Sequence, residues 1–314
     1  MLALDISSGT QRLSFPAQGE KPLEGIYGTP AVDNGMVFFG GYDGRFYALD
    51  ASTLNKKWQY PADESQVGGI VGGSVVAGDL VLFGSSDGYI TALQKSNGLL
   101  VWRYKTKGMV WSTPTVVDQT VYVGSLDHNV YALSLADGTP RWAAPFRADG
   151  AVVTSPLVAD GKVFFGSFDR SFYAVDASTG TQVWRFQGTA WFWSTPVTDG
   201  KRVYAADMTG KLYALDMASG AQKWGFNLEH PVLSTPALVG NNLVVTSDGG
   251  LVQVISTETG QQVSPSFNVG AQVRAPLGVR DGVVYINTMD RRVWALKVVG
   301  GQEKLWEVTA GGTG

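Results

Sequence analysis

The side chains that most often ligate metals or attack substrates are scarce in this chain, which has two histidines and no cysteine in 314 residues. Without cysteine there are no disulfides, thiolate metal sites or thiol nucleophiles. His128 and His230 lie far apart, and neither has acidic or imidazole neighbours at metal-site spacing, so no metal ligand is assigned. Aspartates recur at turn sequences such as Asp33-Asn34-Gly35, Asp160-Gly161 and Asp281-Gly282, where their side chains accept from backbone N–H groups. No carboxylate pair stands out as a general acid and base, and no catalytic residue is assigned. The chemistry that remains belongs to binding: Trp111, the run Trp191-Phe192-Trp193, and Arg274. A guanidinium beside indoles suits an anionic group or an aromatic side chain of a partner.

Whether those residues are exceptional depends on the elements that carry them, and these are repeats. The phrase Asp43-Gly44-Arg45-Phe46-Tyr47-Ala48-Leu49-Asp50 returns at 127–133, 169–176 and 209–216, and more weakly at 87–93, 249–255 and 290–296. The spacing is about 42 residues, the length of a stacked supersecondary unit. Each copy has four short apolar runs. The first follows a Thr-Pro or Ser-Pro step, as at Thr29-Pro30, Thr113-Pro114, Ser155-Pro156, Thr195-Pro196 and Thr235-Pro236. The fourth holds Trp58, Trp102, Trp142, Trp184, Trp224 or Trp306, with Leu13 and Val263 in the same place in two copies. Gly and Asn/Asp between the runs supply the positive φ of tight hairpins. Four strands joined by three hairpins make one propeller blade.

The Tyr-Ala-Leu-Asp…Thr-Gly…Trp signature resembles the PQQ-like repeat β-propeller family, and the resemblance covers nearly the whole chain. That family includes the lipoprotein of the outer-membrane β-barrel assembly machine and the propellers of quinoproteins. The fold class expected is all-β: one domain over residues 1–314, a β-propeller of four-stranded antiparallel blades. Seven full repeats are counted over 27–308 and a half unit over 1–15, which predicts eight blades with one incomplete. A seven-bladed ring with a spare N-terminal hairpin is the alternative. Thr309–Gly314 read as the lead into another first strand. Met1–Ser14 lack a basic and an apolar signal region and already read as repeat, so a fragment or a mature form cut within a repeat is expected.

Within that frame the tryptophans of the fourth runs are expected to pack between blades, and Trp294 to be structural as well. The place two before each Pro step, or before Ser74 in the copy that has lost the proline, reads Gly28, Gly72, Ser112, Thr154, Ser194, Ser234 and Arg274; the place before it holds Trp111 and Trp193 among Tyr27 and aliphatic residues. First strands line a propeller axis, so Arg274 is expected to project toward the channel. Trp111, Trp191, Trp193 and Arg274 are the candidate ligand or partner site, with an internal plug as the competing reading.

Balanced charge, net −3 with 16% charged residues, gives no electrostatic footprint for nucleic acid or an anionic membrane, and no apolar run is long enough to span a bilayer. The resemblance implies a non-catalytic scaffold of the bacterial cell envelope, periplasmic or otherwise extracytoplasmic, with protein or peptide partners and no cofactor. An extracytoplasmic sensing domain of a larger receptor or kinase is the alternative. A PQQ-dependent dehydrogenase is disfavoured, because the vicinal disulfide and long insertions that the resemblance would bring with it are missing.

Overall fold

The computed structural model describes residues 1–16, 23–63 and 65–310. Among them every regular element is a β-strand. Seven sheets have four antiparallel strands each, in consecutive hairpin order: blade 1 (31–60), blade 2 (74–105), blade 3 (115–147), blade 4 (157–187), blade 5 (197–227), blade 6 (237–268) and blade 7 (278–309). An eighth sheet has only two strands, β1 (Leu2–Leu4) and β2 (Gln11–Ser14). The count is that of the seven-bladed alternative, and the eight-bladed expectation is corrected accordingly: the N-terminal copy supplies a third and a fourth strand only. Thr309 still belongs to the last strand of blade 7, so it does not lead into another first strand; residues 311–314 of that expected lead lie outside the described residues.

The chain divides into two compact units, one of Met1, Leu13–Asp169 and Val175–Gln182, the other of Leu2–Arg12, Arg170–Ala174 and Val183–Gly314. In each, apolar clusters lie between successive sheets. In the first unit Phe38, Phe46, Ile70 and Phe83 are fully buried together, with Phe46 and Phe83 stacked at 4.4 Å. In the second, Tyr204, Leu212, Val232 and Val245 join blades 5 and 6, and Val254, Val273, Ile286 and Trp294 join blades 6 and 7. The middle strands, largely apolar on both faces, are mostly buried, as in Phe172–Val175 and Tyr213–Leu215.

The repeat tryptophans set the blade-to-blade fit. In the first unit Trp58, Trp102 and Trp142 donate their indole N–H to the carbonyls of Lys95, Leu135 and Ala177, at 3.1, 2.8 and 2.9 Å. In the second, Trp184, Trp224 and Trp306 donate to Met217, Thr257 and Ile6, at 3.1, 2.9 and 3.1 Å. Opposite each ring is a glycine with positive φ: Gly98, Gly138, Gly180, Gly220, Gly260 and Gly9. A Cβ on any of them would sit 2.5–2.7 Å from the indole, so the glycine is required by the tryptophan. Where the sequence has Val263 instead, Gly300 and Gly301 meet nothing within 4 Å. Leu13 likewise stands in a tryptophan place, and the turn of blade 1 then has buried Leu54 at φ 56 where the other turns have glycine.

Blade 3 departs from the rule. Pro140 and Pro145 cannot donate to a ladder, and its fourth strand shrinks to Phe146–Arg147. Trp142 therefore lies outside a strand, yet it is 4% exposed and keeps its indole bond.

Candidate functional site

The structure separates residues that are exceptional from residues that only look so. The small residues before the Pro steps do not form an open lining. Ser112, Thr154, Ser194 and Ser234 are buried. Their hydroxyls donate to carbonyls twelve residues on, at Gly124, Gly166, Ala206 and Thr246, over 2.9–3.4 Å. Each such bond ties the entry of a blade's first strand to the end of its second. Gly28 and Gly72 are small for a steric reason: a Cβ on Gly28 would lie 2.0 Å from the Gly72 carbonyl oxygen, and one on Gly72 would lie 2.6 Å from that of Trp111. The next position along adds links between blades: Gly73 N–H, in the copy that has Ser74 in place of the proline, donates to Thr113 Oγ1 (2.8 Å), and Thr113 N–H to Ser155 Oγ (3.0 Å).

Arg274 breaks this pattern. Its side chain is 48% exposed, and Nε donates to Asp248 Oδ1 at 3.1 Å. Gln272 Nε2 donates to the other oxygen, also at 3.1 Å. Asp248 was not singled out in the sequence, because Asp248-Gly249 reads like every other hairpin turn. The ion pair is the kind of contact that the internal-plug reading requires, but here it lies in solvent, where such a pair stabilises little.

In the second unit Trp191, Phe192 and Trp193 alternate. Phe192 is 1% exposed, packed 5.6 Å from Phe172 and 5.9 Å from Tyr213, whereas Trp191 and Trp193 are 52% and 37% exposed. Phe192 is thus core and not part of a binding surface. Its burial, the bridge from Phe192 to Asp207 and the bond from Met208 N–H to the Trp191 carbonyl (2.8 Å) fix the segment that presents the two indoles. In the first unit Trp111 is half-buried, with Nε1–H donating to Ser86 Oγ at 3.2 Å; exposed Met109 lies two residues before it.

Several turn carboxylates make bonds within their own repeat. Asp43, Asp127 and Asp207 each accept from the tyrosine of their own repeat, Tyr47, Tyr131 and Tyr213, at 2.6–2.8 Å. Burial pushes the Asp207 carboxyl up, but donors from Thr189, Thr209 and Tyr213 outweigh it and hold the pKa below the usual range. Burial and the Asp199 carboxylate raise the Tyr204 phenol to about 12. His128 sits at φ 75 in a hairpin turn, and the ring of His230 packs under Gly249, 2.7 Å from a Cβ placed there. Among the described residues no three His, Cys, Asp or Glu side chains converge as a cation site.

Tandem four-stranded units with a tryptophan–glycine fit between neighbours define a β-propeller of the PQQ-like repeat class. The family model for the outer membrane protein assembly factor BamB matches residues 1–110, 106–192 and 188–263, and the chain belongs to that family. Among solved structures it is similar to BamB from Moraxella catarrhalis, at 22% identity over 84% of this chain and 82% of that one, with a TM-score of 0.72. It is also similar to the computationally designed protein Ika8, at 17% identity over 91% and 86%, with a TM-score of 0.78. At these identities the likeness shows the fold. No curated protein sequence matches the chain.

Proposed function

We propose that this chain is a non-catalytic binding propeller of the bacterial cell envelope, exposed to the periplasm and engaging protein partners in outer-membrane assembly. The observation that carries the reading is the pair Trp191 and Trp193, exposed on a segment whose intervening Phe192 is anchored in the core. Rigidly held, exposed indoles are the usual anchors of protein-binding hot spots, and pre-organisation spares the ordering cost of binding. Arg274 supplies a cation in the same unit, and Trp111 is a second contact point in the other. Family membership favours this reading over a sensing domain or a quinone-dependent dehydrogenase. In this reading the protein works without PQQ or any other cofactor.

A photo-crosslinking side chain at position 193 tests the proposal in intact envelopes, with the exposed Val32 position as control. Adducts to an outer-membrane assembly protein from position 193 and not from 32, lost on Trp191→Ala, support it. Equal labelling from both positions refutes it.

A further inference from the structure

Blade 3 has a gap in its outer ladder, within the first unit. Its third strand (Asn129–Ser134) pairs with Arg147 at Asn129 and with Phe146 at Val130. Beyond that only a bridge from Leu133 to Pro140 continues the contact. Blade 2 has the regular spacing: Ala92 lies opposite Trp102, and Tyr89 opposite Lys105, three residues on. In blade 3 the residue opposite Asn129 is Arg147, five residues after Trp142. The segment 143–145 therefore holds two residues more than the ladder can pair. Between it and the third strand is a cavity of about 90 Å³, lined by Tyr104, Tyr131, Leu133, Pro140, Trp142 and Pro145. The backbone of Ala132 also reaches it. Ser134 N–H donates to Thr139 and Leu135 N–H to Gln119, so the N–H groups of Val130, Ala132 and Ser134 face the fourth-strand side. The Ala132 carbonyl accepts from Arg141 N–H at 2.8 Å. No described residue accepts from Ala132 N–H, although Ala132 is only 3% exposed. A buried amide without an acceptor is costly. The rings around it are fixed: Tyr131 donates to Asp127 (2.6 Å), Trp142 to Ala177 (2.9 Å), and Tyr104 stands edge-on to Tyr131 at 5.6 Å. What Tyr131 and Trp142 offer the cavity is therefore ring surface.

We infer that this cavity is a subsite for a proline in an extended segment of a protein partner, its carbonyl accepting from Ala132 N–H and its ring lying against Trp142, Tyr131 and Tyr104. The hydrogen-bonding state of Ala132 selects that residue. Its carbonyl is taken and its N–H is open, so the bound group must bring an acceptor and no donor. Any other residue brings an N–H with its carbonyl, and at this edge that N–H would meet an occupied oxygen; proline has none. Size agrees. A cavity of about 90 Å³ holds about three waters or one compact ring and is well short of the roughly 300 Å³ at which drug-sized pockets begin. Aromatic walls suit the pyrrolidine ring, as in grooves that take proline-bearing segments, and the fixed φ of proline lowers the ordering cost of binding. This site shares no residue with the Trp191 and Trp193 surface, so the two readings fail separately.

The test titrates the isotope-labelled full chain, followed by NMR, with acetyl-tetraproline amide and with acetyl-tetra-alanine amide, which offers the same carbonyls but keeps its N–H groups. The expected result is a saturable downfield shift of the Ala132 amide and a shift of the Trp142 indole with tetraproline alone. Two variants locate the site. Deleting Ala143 and Ala144 restores the spacing of blade 2 and leaves Pro145 at the place of Arg103, on the outward side of an edge strand where proline is tolerated; the cavity closes and binding is lost. Tyr104→Leu keeps an apolar side chain without a ring, and affinity falls about fivefold, the worth of an aromatic contact. Should the deletion variant fail to fold, Tyr104→Leu decides alone. An unmoved Ala132 amide, which would leave the cavity to water, overturns the inference. So does an equal response to the two peptides, a response confined to the indoles of Trp191 and Trp193, or full affinity in Tyr104→Leu.

Discussion

Trp184 shows what one residue contributes to a blade junction. It is 8% exposed, its N–H is bonded to Met217, and its ring fills the space that Gly220 leaves. Trp184→Ala is expected to cost about 3–5 kcal/mol in urea unfolding, the range for truncating a large buried aromatic. Trp111→Ala, at a half-buried position, costs clearly less; equal losses would make Trp111 core and remove it from the binding surface. Gly220→Ala offends twice, at φ 72 and with a Cβ 2.7 Å from the indole, and is expected to destabilise by more than about 1 kcal/mol. The same size matching predicts a coupling. Leu13 and Leu54 occupy a tryptophan place and the glycine place that would face it. Leu13→Trp and Leu54→Gly should each destabilise alone and partly rescue each other, with a coupling of about 0.5–3 kcal/mol in a double-mutant cycle. Additive losses would show that the two positions do not meet.

At the scale of the strand and its turn, the repeat phrase was legible because each of its residues has a local duty. The aspartate ending the third run accepts from the backbone and hydroxyls of the following turn, as Asp50 does from Ser52 and Thr53 and Asp176 from Ser178 and Thr179. What single-sequence reading missed are the duties that cross elements. Ser112 and Ser194 look like small channel-lining residues until their bonds to Gly124 and Ala206 are seen, and Asp248 looks like any turn aspartate until Arg274 reaches it. The turn carboxylates also predict an acid profile. Lys223, then the backbone and hydroxyl of Ser219, hold Asp216 at about 2 against an ordinary value of 3.8. Asp50, bonded to Ser52 and Lys57, and Asp5, bonded to Ser7 and Arg12, are lowered as well. A carboxyl whose folded pKa is depressed adds stability above its unfolded pKa and loses it as pH falls through the folded one. The melting temperature should therefore hold steady down to about pH 4 and fall between about pH 4 and 2. Asp216→Asn should lower it at pH 7 and lessen the fall. A melting temperature that is flat to pH 2 would contradict this.

For the molecule as a whole, the number of complete sheets depends on what one hairpin does. The seven full repeats were countable because each brings its own four apolar runs, but the sequence could not say whether residues 1–15 are an ornament or a structural member. Contacts at both of its ends argue for a member. In the second unit Ile6 and Gly9 close over Trp306. In the first, Phe15 packs edge-on to Phe39 and Tyr47, at 6.1 and 5.8 Å. Removing the hairpin deprives Trp306 of its hydrogen-bond acceptor and exposes fully buried Phe39. Deletion of residues 1–15 is therefore expected to lower the melting temperature, to speed hydrogen exchange at the Trp306 indole, and to leave the indoles of Trp102 and Trp184 protected, since their acceptors Leu135 and Met217 remain. Unchanged melting together with unchanged protection at Trp306 would mean that blade 7 is complete without the hairpin. A general loss of protection at all three indoles would mean that the hairpin is needed for the fold itself, because blades that bury their tryptophans against one another lose them together once the sheets separate.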